Sequence, residues 1–203
     1  MQLDHLAVTC GDLAAATAHV ETALGVALQP GGQHARYSTH NRLLSLGPGE
    51  YLEVIAPDPS APRPKHPIWF GLGQATMPRL GNWLVRVLDL AAALKTAPTT
   101  AGEMVDLERG DLKWRIAVPP DGTLPLGGAY PTLIEWQGTA PHPSTRLTDL
   151  GVRLIQLDIS HPDAAYLTET MAQSLNDPRI RFHSGPVSLQ ATFATPHGNQ
   201  TLS

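Results

Sequence analysis

Two glutamates in this sequence stand where a charge is hard to accommodate. Glu53 is the centre of Tyr51-Leu52-Glu53-Val54-Ile55, and Glu135 is the centre of the equally apolar Leu133-Ile134-Glu135-Trp136. Side chains alternate along a strand, so Glu53 shares a face with Tyr51 and Ile55, opposite Leu52 and Val54. A carboxylate among such neighbours needs a partner, because an unpaired buried charge is very costly. Arg86 and Arg115 could supply one, which would make the glutamates structural. Arg86 falls on the same strand face as Asn82 and Leu84, and His5 lies on a strand face with Ala7 and Thr9. His34, His40 and Asn41 flank the hairpin that carries Glu53. With Asn82, Arg86 and Arg115, they form the candidate substrate-binding set.

The elements that would hold these residues repeat. A strand over 3–9 runs into a helix capped by Asp12 and stopped by Gly25. Strand-like segments follow over 34–38, 41–46 and 51–55, the last two flanking a Gly47-Pro48-Gly49 turn. A second series comprises a strand over 82–88, a helix opening at Asp89, a hairpin of 104–108 with 112–118 across Gly110-Asp111, and a strand over 132–137. Asp12-Leu13-Ala14-Ala15-Ala16 recurs as Asp89-Leu90-Ala91-Ala92-Ala93, and the same offset sets His5 opposite Asn82. The pattern predicts an α+β chain of two βαβββ modules, residues 1–56 and 81–137, joined by a Pro/Gly-rich linker over 57–80. Residues 138–203 form a third, β-α-β-β unit, with strands over 154–159, 179–183 and 187–195 and a helix over 163–175. Within the linker, Trp69-Phe70 reads as a core anchor.

Composition excludes several classes. Fourteen Lys and Arg residues against 18 Asp and Glu give a net charge of -4, with no basic cluster to neutralise phosphates, so nucleic acid is not an expected partner. No apolar run approaches the roughly 18 residues of a membrane span, and the opening residues lack a signal-peptide pattern. The expected location is cytoplasmic, away from membranes. The single cysteine, Cys10, excludes an internal disulfide and a Cys-based zinc cluster, and reads as a small buried residue at a strand end.

Asp4-His5-Leu6-Ala7-Val8, Gly11-Asp12-Leu13 and Tyr51-Leu52-Glu53-Val54-Ile55 resemble the vicinal oxygen chelate superfamily, which contains glyoxalase I, extradiol dioxygenases and bleomycin-resistance proteins. His34, Thr39 to Gly47 and Tyr51-Leu52-Glu53 resemble more narrowly its glyoxalase-like domain proteins. The resemblance implies a curved mixed sheet around a central cup, with metal ligands on the first and last strands of each module. Carried over, these are His5, Glu53 and Glu135, with Asn82 standing where the family's metal enzymes commonly have a histidine or glutamine. An imidazole and two carboxylates suit Fe, Mn, Ni or Zn. Gln156 of the third unit could replace the missing ligand. The implied activity is a metal-dependent lyase, isomerase or dioxygenase acting on a small oxygenated substrate, with Glu135 as catalytic base. A metal-free cup that sequesters a small molecule, as in the bleomycin-resistance type, is the alternative. The resemblance also implies a homodimer.

Overall fold

The computed structural model describes residues 1–172 and 174–203; Gln173, within the helix expected over 163–175, lies outside the described residues. The first module comprises β1 (Gln2–Thr9), α1 (Leu13–Leu24), β2 (Gln29–His34), β3 (Thr39–Ser45) and β4 (Tyr51–Pro57). The second comprises β5 (Arg79–Arg86), α2 (Leu90–Leu94), β6 (Glu103–Arg109), β7 (Leu112–Val118) and β8 (Thr132–Gln137). Both helices start for the same local reason. Asp12 Oδ1 accepts from the Ala15 N–H at 2.7 Å, and Asp89 Oδ1 accepts from the Ala92 N–H at 2.9 Å, each satisfying an otherwise orphaned first-turn donor. Gly25 ends α1 at a φ of 70°, a left-handed conformation that glycine adopts without strain.

The ten elements build one eight-stranded mixed sheet in the order β2-β3-β4-β1-β5-β8-β7-β6. Within each module the first strand runs parallel to the last, and β1 meets β5 antiparallel at the centre. The sheet curls until its edge strands β2 and β6 come into contact, which makes a half-barrel. The second strand was expected over 34–38, but β2 lies earlier. Its Pro30-Gly31-Gly32 stretch carries no strand signal in the sequence. Such residues are tolerated here because β2 is an edge strand with an irregular register between Pro30 and Gln33.

The C-terminal unit holds β9 (Arg153–His161), α3 (Ala164–Ala172), β10 (Ile180–Ser184), β11 (Ser188–Thr195) and β12 (Gly198–Leu202), in a separate sheet ordered β10-β9-β11-β12. It has one strand more than expected, because residues 198–202 pair back on β11 beyond the late turn. Its connectivity also differs from that of the modules: β9 pairs parallel with β10, the strand after the helix. This second sheet shares a continuous apolar core with α1, α2 and the outer face of the large sheet, where Trp83 meets Phe182 with ring centroids 6.3 Å apart. Gln156 donates to Asp158 within that sheet, so it supplies no group to the cup. A separate apolar cluster, including Trp69, Phe70, Trp114, Ile116 and Ile134, lines the inner face. Among the described residues no helix is long and apolar enough to cross a membrane.

Candidate functional site

Alternation along the central strands decides which polar groups enter the cup. Ala7, Leu43 and Glu53 are register neighbours on β1, β3 and β4 and point inward together. Glu53 is 5% exposed, so its oxygens need partners inside the protein. Asn41 Nδ2 donates to Glu53 Oε1 at 2.5 Å, and Asn41 Oδ1 accepts the Gly32 N–H at 2.7 Å. Gly31 is required beside it, since a Cβ there would collide with the Asn41 amide oxygen. The other carboxylate oxygen, Oε2, lies 3.7 Å from His5 Nε2.

His5 owes its position to a bulge. The β1–β5 register shifts between Leu3 and His5, which inserts Asp4 as an extra residue and lets Asp4 and His5 act on the same side. His5 Nδ1 donates to Asp4 Oδ1 at 2.7 Å, and its ring stacks on Tyr51 with centroids 4.3 Å apart. With the proton held at Nδ1, the Nε2 lone pair faces Glu53 and the cavity. Asp4 is fully buried and accepts further hydrogen bonds at Oδ2 from Trp136 Nε1 at 2.9 Å and His142 Nε2 at 3.1 Å. Burial opposes its charge, yet the hydrogen bonds from His142 and His5 hold Asp4 well below the usual carboxylate range. Burial pushes the Tyr51 phenol well above its ordinary value, reinforced by the charges of Asp4 and Glu53.

Across the cup, Arg109 Nη1 lies 3.2 Å from His34 Nε2 and so ties β6 to β2. His34 Nδ1 in turn donates to Thr39 Oγ1 at 3.1 Å, which also accepts from Trp69 Nε1 at 3.2 Å. This arrangement uses His34 as a neutral ring with Nε2 as acceptor. Burial first, then Arg109 and His5, push His34 down to about 4, while Glu53 acts in the opposite direction. The unfolded chain then binds a proton that the folded chain refuses, so stability is complete above about pH 6.5 and is lost as the pH falls toward 4. Wild-type protein is expected to lose about 2 kcal/mol of unfolding free energy between pH 7.5 and 5 from this group. His34→Gln should flatten that limb; urea titrations at the two pH values would refute the assignment if both proteins showed equal slopes.

The cavity lined by these groups is about 30 Å³, room for little more than a water molecule. Aromatic and aliphatic side chains form the rest of its wall, among them Trp69, Phe70, Trp114, Ile134 and Trp136. From β8, therefore, Ile134 and Trp136 face inward. Glu135 between them faces outward, where Oε2 accepts the Leu90 N–H at the start of α2 at 2.8 Å and Oε1 pairs with Gln137 and, at 3.8 Å, with Arg115. The structure thus separates Glu135 from His5 and Glu53, because strand alternation carries it to the other face. Arg115 goes with it, 3.0 Å from Asp106. Asn82 stays inside the sheet's concave layer but is consumed by Thr132, to which it donates at 3.0 Å. Arg86 lies at the rim, donating to the Gly49 carbonyl at 3.2 Å, and its Nε is 3.9 Å from Asp4 and not beside Glu53. His40 alternates away from the cup between Thr39 and Asn41. His5, Glu53, Asn41 and His34 are brought together.

Those residues can be compared with what a metal would need. Among the described residues no three His, Cys, Asp or Glu side chains converge as ligands. With Glu135 turned away, His5 and Glu53 form a two-donor set, short of the roughly three protein ligands of a catalytic metal site. Fe, Mn, Ni or Zn does not fit the groups this cup presents. The residues not anticipated are Asp4, Arg109 and His142. Arg109 was findable, since Val105, Leu107 and Arg109 share a face of β6. His142 had no signal, as it lies in a connector without periodicity.

Two βαβββ modules curled around a cup of buried polar groups define a vicinal oxygen chelate fold. The family model described as a glyoxalase-like domain matches residues 3–175, and the chain belongs to that family. A hypothetical protein from Staphylococcus aureus has the same fold, with a TM-score of 0.61 at 15% identity over 92% of this chain and 87% of that one. Methylmalonyl-CoA epimerase from Mycobacterium tuberculosis is more distant, with a TM-score of 0.42 and 21% identity over 68% of this chain and 88% of that one. A Streptomyces coelicolor methylmalonyl-CoA epimerase variant in complex with 2-nitronate-propionyl-CoA scores 0.44 at 12% identity, over 68% and 97% of the two chains. No curated protein matches the sequence.

Proposed function

We propose that this chain is an isomerase- or lyase-type enzyme that moves a proton on a small carbon acid bearing an anionic oxygen, using side chains alone. The observation that carries the reading is the juxtaposition of His5 Nε2 and Glu53 Oε2, 3.7 Å apart on the cavity wall, with Asp4 holding the far nitrogen of the imidazole. A carboxylate behind Nδ1 orients the ring and leaves Nε2 as the base, a recurring arrangement for a histidine that accepts a proton in catalysis. In the forward step the substrate C–H bond breaks and its proton passes to His5 Nε2. The electron pair moves onto the neighbouring carbonyl oxygen, and Glu53 is the second group through which a proton can be exchanged. Return of the proton to the same or an adjacent carbon completes an isomerisation.

Arg109 supports an anionic substrate. It is half-buried at the cavity wall, its partner there is a histidine, and no carboxylate is paired with it among the described residues. A guanidinium facing a largely apolar pocket stabilises an enolate or carboxylate oxygen more than it would in water. The apolar walls favour a compact, partly planar body.

The test is solvent-deuterium exchange. Purified protein, with and without a chelator, is incubated in D2O with a panel of small 2-oxo acids, 2-hydroxy ketones and short acyl thioesters, and loss of the α-proton signal is followed by NMR. Exchange on at least one compound, unchanged by chelator and reduced about a hundredfold in His5→Gln and Glu53→Gln, is the expected result. Chelator-sensitive exchange, or exchange indifferent to both substitutions, would overturn the mechanism. Saturable binding with no exchange would move the chain to the sequestration class.

A further inference from the structure

A cavity with room for about one water molecule cannot admit even a small carbon acid unless part of its wall moves. The candidate is the connector over 138–150 between β8 and β9, which crosses the mouth of the half-barrel as a strap. Pro143 lies on the cavity wall and Ala140 packs against the inner apolar cluster. Four side-chain links tie the strap to four separate parts of the rim. His142 Nε2 meets Asp4 Oδ2 of β1 at 3.1 Å, and Ser144 Oγ accepts the Gly49 N–H of the β3–β4 turn at 3.1 Å. Arg146 forms a two-pronged pair with Asp111 of the β6–β7 turn at 2.8 and 2.6 Å. Gln29 of β2 exchanges two hydrogen bonds with Thr148, at 2.9 and 2.8 Å.

These links are unequal. The Arg146–Asp111 and Gln29–Thr148 contacts are exposed, and exposed pairs contribute little and exchange readily with water. The His142–Asp4 link is the one made to a fully buried charge, where losing a donor is expensive. It is also well directed. The Ser144 N–H donates to His142 Nδ1 at 3.3 Å, so the His142 proton sits on Nε2 and points at Asp4. The same carboxylate, through its other oxygen, holds the Nδ1 proton of His5. One aspartate thus joins the strap to the base of the site.

We propose that His142 is a positioning residue acting through Asp4 on His5, so that the imidazole is held in its working tautomer only while the strap is shut. The significance of that tautomer rests on the proton-transfer reading above; the coupling between strap and imidazole does not. When the strap lifts to admit a ligand, Asp4 loses the His142 donor, its carboxylate gains water and rotamer freedom, and the His5 Nδ1 proton exchanges with solvent. Closure over the bound ligand restores both bonds and excludes water.

The experiment reads the strap and the imidazole separately in the full chain, without a substrate. Thermolysin cleavage before Leu147 and Leu150 reports strap opening. The low-field Nδ1–H resonance of His5, assigned with 15N-histidine labelling, reports the tautomer and its protection. In wild type the strap should resist cleavage and the resonance should be sharp. His142→Ala should raise the cleavage rate about tenfold or more and abolish the resonance, while His142→Gln, which retains a donor, should preserve most of both. Arg146→Ala, which loosens the strap without touching Asp4, should raise cleavage and broaden the His5 signal. A His5 resonance unchanged in a folded His142→Ala protein would overturn the coupling, and so would faster cleavage in Arg146→Ala with an unaltered resonance. Because neither readout uses turnover, failure of the deuterium-exchange assay would leave this result interpretable.

Discussion

Asp4→Ala should cost about 4 kcal/mol of unfolding free energy, equivalent to a fall of roughly 10 °C in Tm for a chain of this size. Asp4 is fully buried, and three side-chain N–H groups from three different elements converge on it: His5 Nδ1, Trp136 Nε1 and His142 Nε2. Removing the acceptor strands all three donors away from water, and each stranded donor costs on the order of 1–3 kcal/mol. Asp4→Asn keeps the shape and one acceptor oxygen but turns an NH2 group toward N–H donors, so a loss of about 2 kcal/mol is expected. Because Asp4 titrates well below the usual range in the folded chain, its contribution is present above an unfolded value near 4 and lost as the pH falls further. This acid limb is distinct from the His34 limb at higher pH. Thermal and urea unfolding at neutral pH would decide the matter; a loss below about 1 kcal/mol for Asp4→Ala would show that these hydrogen bonds are replaced by water.

Trp83→Ala should cost a similar amount, about 4 kcal/mol, for a different reason. Trp83 is fully buried on the outer face of central strand β5, where the large sheet meets the second sheet through Phe182. Truncation leaves a cavity between two rigid sheets that cannot collapse into it, so the transfer and cavity contributions add. Among the described residues the indole Nε1 meets no hydrogen-bond partner. Trp83→Phe therefore removes an unsatisfied donor along with some apolar volume, and the two effects should nearly cancel, leaving about 1 kcal/mol or less. Guanidinium unfolding of both variants tests this. A drop in midpoint with an unchanged slope for Trp83→Ala is expected, and two separated transitions would mean that the second sheet unfolds independently.

The contrast between Glu53 and Glu135 shows where local pattern stops being informative. Both are single glutamates in apolar strands, and the internal repeat aligns them. Yet Glu53 accepts from Asn41 and lies beside His5 inside the cup, whereas Glu135 caps α2 from the outer face. A period of two tells which residues share a face but not which face is concave, and a shift of one residue exchanges the two. Asp4 is the complementary case. Strict alternation would have sent it to the face opposite His5, and a bulge against β5 reversed that. The α1 boundaries were legible because they depend on residues a few positions apart, Asp12 with Ala15 and Glu21 with Gly25.

The sequence by itself determined the local devices: the capped helices, the 41–46 and 51–55 hairpin, the repeated module and, through its motifs, the glyoxalase-like family. It also named His5, Glu53, Asn41 and His34, but within a larger candidate set that held Glu135, His40, Asn82, Arg86 and Arg115 as well. Only the tertiary structure decided that Glu135 leaves the site, that Asp4 links His142 to His5, and that Arg109 meets His34 across the cup. Those outcomes depend on sheet curvature, bulge register and the path of an aperiodic connector, each set by contacts between residues far apart in the chain.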